Sequence, residues 1–258
     1  MSQKFRTLLL RRPSLAALAV LIAACTQAPR DTGCIATVWQ DAAFTVCRYP
    51  STADTRLFLT AETGRPFAHF TVLEKALNQS GERLAFAMNG GMYHDDRRPV
   101  GLYIEGGEQI APLQTQESPG NFGLLPNGVF FISNGRAGVM ETLAYAGARL
   151  SPDFATQSGP MLVIDGALHP AFNVDGPSKK RRNGVGISAD GETKIFAISE
   201  EPVNFHTFAT LFRDKLQAPN ALFLDGTVSK LYAPELERDD IGLPMGPIIA
   251  VVSSAQES

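Results

Sequence analysis

The sequence predicts an α+β domain, with a largely antiparallel or mixed sheet packed by two main helices. Three observations lead there. Short runs rich in Val, Ile, Phe and Tyr recur between Gly, Pro and Asn residues; only two segments carry helical spacing; and no long linker, repeat or low-complexity tract divides the chain.

The chain opens on a segment that does not belong to this domain. Lys4, Arg6, Arg11 and Arg12 form a basic region, and residues 15–24 are apolar with small residues at the end, the anatomy of an export signal. The apolar part is shorter than the ~20 residues that a bilayer-spanning helix needs. Leu21-Ile22-Ala23-Ala24-Cys25 resembles a lipobox, which implies a lipid anchor on Cys25; an ordinary cleavage site near Ala23 is the alternative. The Arg11-Arg12 pair also hints at twin-arginine export. The expectation is an exported, periplasmic protein that touches a membrane only through Cys25. Its parts are a signal peptide over 1–24, a polar tether over 25–33, a folded domain over 34–252 and a tail over 253–258.

Cys34 and Cys47 flank "IATVWQDAAFTV", which reads as two strands around a Gln40-Asp41 turn. In an oxidising compartment this pair predicts a disulfide across the hairpin. Strands are then expected at "TRLFLT" (55–60), "RLAFAMN" (83–89), "GLYIEGG" (101–107) and "NGVFFIS" (127–133). Residues 66–81 place Phe70, Leu73 and Leu77 at helical spacing and end at Gly81, a C-terminal cap. Residues 204–217 place Phe205, Phe208, Leu211, Phe212 and Leu216 on one stripe, with Asn204 as N-cap.

Charge narrows the function. The chain carries a net −3, and the first 24 residues hold four cations and no acid, so the remainder carries −7. That balance excludes the basic footprint of a nucleic-acid binder. With 44% hydrophobic residues one sizeable core is expected. No GxSxG, Walker loop or GxGxxG between strand and helix is present. His69, His94, His169 and His206 form no metal-ligand spacing with one another. No metal site or cofactor is named by the sequence, and a divalent cation stays open.

Four segments share one pattern, an apolar run that empties into Gly and polar residues: "FAMNGGMYHDD", "SGPMLVIDG", "SKKRRNGVGIS" and "NALFLDGTVSKLY". Strand ends converging on one sheet edge are a common place for a site, and glycines there let a ligand approach the backbone. Asp165-Gly166 and Asp190-Gly191 also fit plain hairpin turns. In the run Lys179, Lys180, Arg181 and Arg182, one residue must stand where the next strand begins, where a guanidinium could grip an anionic oxygen pair.

Taken in order, "NGGMY", "SGPMLVIDG", "RRNGVGIS" and "LFLDGTVS" resemble the phosphodiester glycosidase family, over roughly residues 34–252. "NFGLLPNGVF" and "FRDKLQAPNALFLDG" resemble its small exported bacterial subgroup. The resemblance implies hydrolysis of a sugar-1-phosphodiester, a small molecule or a glycan, at the anomeric C–O bond. It assigns Asp225 as the carboxylate near C1, Arg182 as the phosphate cation and Asn89 as an orienting group. Gly90, Gly91, Gly159, Gly226 and Ser229 are implied as substrate-binding positions, and Glu105 and Asp165 are reserve carboxylates. His94, Asp95, Asp96, Arg97 and Arg98 fall on the rim. Thr227 stands where the family usually has a second Gly, so a loop needing φ > 0 there would differ. Two other readings remain: an envelope lipoprotein that binds a glycan or phosphoglycan without turnover, and a metal-dependent phosphodiesterase cutting P–O.

Overall fold

The computed structural model describes residues 32–254 together with Met1. The signal-like segment, Cys25, the tether as far as residue 31 and the last four residues lie outside the described residues. The order begins with β1 (Gly33–Trp39), β2 (Ala42–Pro50), β3 (Thr55–Phe58), helix α1 (Phe70–Gln79), β4 (Glu82–Asn89), β5 (Tyr103–Glu105) and β6 (Glu108–Ala111). It continues with β7 (Gly128–Ser133), β8 (Arg136–Glu141), helix α2 (Thr142–Ala148), β9 (Phe154–Ser158), β10 (Met161–Ile164) and β11 (Ala167–Leu168). The last third holds β12 (Asn183–Ile187), β13 (Thr193–Ser199), helix α3 (Phe205–Thr210), β14 (Asn220–Asp225), β15 (Leu231–Ala233), β16 (Arg238–Asp239) and β17 (Ile248–Ser254).

The strands form three sheets rather than one. The first runs β1-β2-β13-β12-β14-β10-β11, the second β16-β15-β4-β17-β3, and the third β6-β5-β9-β7-β8. Every named pairing is antiparallel. Short strands twist and split into packed sheets once there are too many for one open layer. The shared core lies between them: Cys47 and Phe196 from the first sheet, Phe86 and Ile249 from the second, and Tyr103 and Phe130 from the third belong to one buried cluster.

Local chemistry sets the connections. Gln40 and Asp41 take φ of 46° and 62°, the two-residue turn that joins β1 to β2 with Trp39 opposite Ala42. That register sets Cys34 opposite Cys47, and the two are joined by a disulfide. Asp165 and Gly166, at φ of 46° and 83°, make the same kind of turn between β10 and β11.

Helix α1 buries Phe70, Leu73 and Leu77 as its spacing requires. Asn204 caps α3 by accepting from the Thr207 amide. The expected 204–217 helix is α-helical only to Thr210; it continues as a π turn over Leu211–Lys215, where the Leu216 amide donates to Leu211 O at 2.9 Å. Phe208, Leu211, Phe212 and Leu216 pack on the first sheet, each worth about 1.5–3 kcal/mol of apolar burial. Helix α2 was not expected: it is seven residues long, buries only Thr142 and Tyr145, and is capped by the Glu141 carboxylate on the Leu143 and Ala144 amides.

The disulfide closes a loop of sequence separation 13 at the edge of the first sheet. Replacing both Cys34 and Cys47 by Ser is expected to cost about 2–4 kcal/mol, read as a lower urea midpoint.

Candidate active site

Four segments enclose a cleft of about 530 Å³. Its lining comes from Tyr93, Asp95 and Arg97 after β4, from residues 118–122 before β7, from residues 225–228 after β14, and from Leu243 and Pro244 before β17. Asp225 is the buried carboxylate of this wall, 8% exposed.

A β-bulge delivers it. Gly184 pairs with Phe223, yet the next residue back along β12, Asn183, pairs with Asp225, so Leu224 is an extra residue in β14. Bulges of this kind re-aim side chains beside sites. Beyond it the chain turns on itself: Asp225 Oδ1 accepts from the Gly226 amide at 2.6 Å and the Thr227 amide at 2.8 Å. Burial raises the Asp225 pKa above the usual aspartate value, and the amides of Thr227, Gly226 and Val228 oppose that shift without cancelling it. Neither Gly226 nor Thr227 is among the described residues with positive φ. A β-branched residue therefore fits where the family's second Gly stands.

The cation on the cleft wall is Arg97, which stacks over the Tyr93 ring at 5.2 Å. Tyr93 in turn donates its hydroxyl to Pro244 O at 3.0 Å, tying two walls together. Burial pushes the Tyr93 phenol up; the Asp225 charge adds to this and Arg97 opposes it, so the ring stands within the field of both. Asp95 is the second carboxylate on the wall and is exposed to solvent. Among the described residues no group of three His, Cys, Asp or Glu side chains is arranged to hold a metal ion.

The residues singled out from the sequence are only partly brought together here. Asp225 and Gly226 line the cleft. Asn89 is fully buried behind it: Nδ2 donates to Asn183 Oδ1 at 3.0 Å, and Oδ1 accepts from the Lys230 amide at 3.0 Å. The Gly90 amide is committed to Pro247 O at 2.7 Å. These glycines answer to the protein itself. A Cβ on Gly90 would meet Ile249 N at 2.9 Å, and one on Gly91, at φ 148°, would meet Thr156 Oγ1 at 2.7 Å.

Arg182 does not line the cleft. Its guanidinium is fully enclosed, 3.5 Å from the centre of the Phe205 ring, with Nε donating to Val203 O at 2.9 Å and Nη2 to Ser178 O at 2.7 Å. Nη1 is buried without a hydrogen-bond partner, and desolvation lowers the pKa to about 10. Successive residues of an extended chain face opposite ways, so Arg182 turns to α3 while Asn183 turns to Asn89. Gly159, in a cis peptide with Pro160, backs the loop of the cleft through Phe122 O, 2.9 Å from where its Cβ would lie.

Ser229 faces a neighbouring hollow of about 480 Å³ on the other side of the 225–229 loop, with Arg181 and Asp239. Glu105 sits on β5, where it accepts from the Tyr103 hydroxyl at 3.0 Å, and Asp165 occupies its exposed hairpin turn against Asn220. Neither reaches the cleft wall. Sequence reading placed Arg97 and Asp95 on the rim and passed over Tyr93, Phe122 and Asn183. The run of charged residues after Tyr93 in "MYHDDRR" carried a weak signal for Tyr93, Asp95 and Arg97.

Comparison with known proteins agrees with the fold. The phosphodiester glycosidase family model matches residues 82–242. The chain is 35% identical over 183 residues to the uncharacterized protein YigE of Escherichia coli K12, covering 71% of each. Among solved structures, the catalytic domain of zebrafish N-acetylglucosamine-1-phosphodiester alpha-N-acetylglucosaminidase, auto-inhibited by its pro-peptide, superposes with a TM-score of 0.58 at 13% identity, over 88% of this chain and 84% of that one. A hypothetical protein from Synechocystis superposes at 0.52 and 13% identity, over 85% of this chain and 61% of that one. At such identities these two structures share the fold. The length of the family match and the identity to YigE together establish that this chain belongs to the phosphodiester glycosidase family.

Proposed function

We propose that the protein is an exported hydrolase that cleaves a sugar-1-phosphodiester at the anomeric C–O bond, with Asp225 as the carboxylate at C1. The observation that carries this reading is that a buried, solvent-poor carboxylate and a single arginine line one cleft of a size to hold a sugar and its phosphate. Family membership supplies the reaction class, and the site supplies the roles.

A phosphodiester oxygen is a good leaving group, so the chemistry asks little of a general acid. It asks for an anion site and for negative charge facing C1, where positive charge grows as the bond lengthens. In this reading Arg97, held by the Tyr93 ring, takes the phosphate. Asp225 faces C1 and accepts the proton of the attacking water as its oxygen bonds to carbon; the C1–O bond breaks and its electrons leave with the phosphomonoester. The raised pKa of Asp225 suits it to take up that proton. Residues 118–122, with Phe122 and Asn121, form the opposite wall against which the sugar lies. Arg182 supports this site from behind, by fixing Ser178 and Val203 around the start of β12.

A panel of sugar-1-phosphodiesters tests these roles. Asp225→Asn is expected to lower kcat by about 10²–10⁴-fold while binding changes little. In the wild type, kcat/KM is full while Asp225 is ionised and falls as pH drops through its raised pKa. The acid limb therefore lies above the ordinary aspartate range. An Asp225→Asn variant that keeps wild-type turnover contradicts the assignment. Arg97→Ala is expected to raise KM roughly tenfold, the ~1.5 kcal/mol of a charged hydrogen bond, with a smaller change in kcat. Saturable binding of a glycan by a wild type that turns over no phosphodiester would favour a binding protein instead.

A further inference from the structure

Asp225 is held by a chain of contacts that starts at a residue outside the cleft. Asn183 lies opposite Asp225 at the bulge between β12 and β14 and is fully buried. Its Oδ1 accepts from the Asp225 amide at 3.1 Å and from Asn89 Nδ2 at 3.0 Å, and its Nδ2 donates to Asn89 O at 3.1 Å. Asn89 Oδ1 accepts from the Lys230 amide. The two asparagines thus grip both ends of the 225–230 loop, Asn183 at its first amide and Asn89 at its last. The orientation of each side-chain amide follows from this pattern: a flipped Asn183 would point its NH₂ at the Asp225 amide and Asn89 Nδ2, two donors.

The grip bears on the carboxylate directly. Asp225 Oδ1 is bound to the amides of Gly226 and Thr227, which follow the Asp225 peptide in sequence. Moving that peptide moves the turn, and the turn sets the rotation of the carboxylate. Ser229 Oγ closes the loop on its inner side, 3.0 Å from Asp225 O and 3.1 Å from Arg181 O; its one proton serves a carbonyl, leaving Asn183 Oδ1 to the donors above.

We propose that Asn183 is a positioning residue for the reaction: through the Asp225 amide it fixes the turn that engages Oδ1 and with it the rotation of the carboxylate. This rests on the reading of Asp225 as the reacting carboxylate, and the test separates the two. Asn183→Ala and Asn89→Ala are compared as folded proteins by amide hydrogen exchange, and by kcat and KM on a sugar-1-phosphodiester that the wild type cleaves. In Asn183→Ala the amides of Asp225, Gly226 and Thr227 are expected to exchange at least tenfold faster, and kcat to fall 10–100-fold with KM within about twofold, at the precision set by a lost buried hydrogen bond. In Asn89→Ala the Lys230 amide is released first and kcat falls less, even at a matched loss of Tm.

An Asp225 amide that stays protected in Asn183→Ala overturns the proposal. So does a loss of kcat no greater than that of Asn89→Ala, which a purely structural contact would give. If Asn183→Ala does not accumulate as folded protein, Asn183→Ser, which keeps an oxygen on the same Cβ, must show the Asp225 amide loosened ahead of Lys230. A wild type that cleaves no sugar-1-phosphodiester removes the reading of the site, while the exchange data still decide whether Asn183 holds Asp225.

Discussion

The amide pair between Asn89 and Asn183 is the contact on which the rest of the site depends, because it joins two sheets where a third also arrives. Asn89 ends β4 in the second sheet, and Asn183 begins β12 in the first. One residue further on, Gly90 O accepts from Thr156 Oγ1 of β9 in the third sheet at 2.8 Å. Ser158 Oγ, also on β9, donates to Leu224 O of β14 at 2.9 Å. Buried polar groups left without partners cost about 1–3 kcal/mol each. A slip of one sheet would leave several unpaired at once, and the sheets are held in one arrangement.

That junction explains why the sequence there is so short of side chains. Strand β4 must end with one residue able to bond across to β12, followed by two that let β17 and β9 come within touching distance. Asn-Gly-Gly satisfies this, and the same junction leaves no room for the chain between β14 and β15 to wander. The loop from 225 to 230 crosses from the first sheet to the second at that point, with Asp225 at its start. Function follows from packing: the carboxylate stands at the cleft because three sheets converge beneath it. The network of Arg181, Arg238, Glu200 and Asp240 then braces the outer side of the same crossing. Partly buried and shared among several charges, it is worth more than isolated surface pairs.

What the sequence made legible was what nearby residues decide. The Gln40-Asp41 turn, the cross-strand disulfide, the Asn204 cap and the buried stripe of α1 depend on neighbours within a few positions, and each stands as its local chemistry requires. The division into three sheets was not legible, since alternating short strands look alike whichever sheet they join. Within the site, Asp225 could be singled out, while Asn183 could not: its partner lies 94 residues away. Arg182 marked the start of β12 as expected, but which face a residue takes at a strand end is fixed by register. Here register sent the guanidinium to Phe205 and its neighbour to Asn89. Arg97 was hidden among charged residues that mostly face water, and only its ring contact with Tyr93 distinguishes it.

The central claim is that water attacks C1 under Asp225, so that the bond broken is C–O and the phosphate keeps all its own oxygens. Turnover of a sugar-1-phosphodiester in ¹⁸O-labelled water, read by mass spectrometry of both products, tests this most directly. The account predicts one labelled oxygen in the released sugar and none in the phosphomonoester. Label in the phosphomonoester, with none in the sugar, would contradict it.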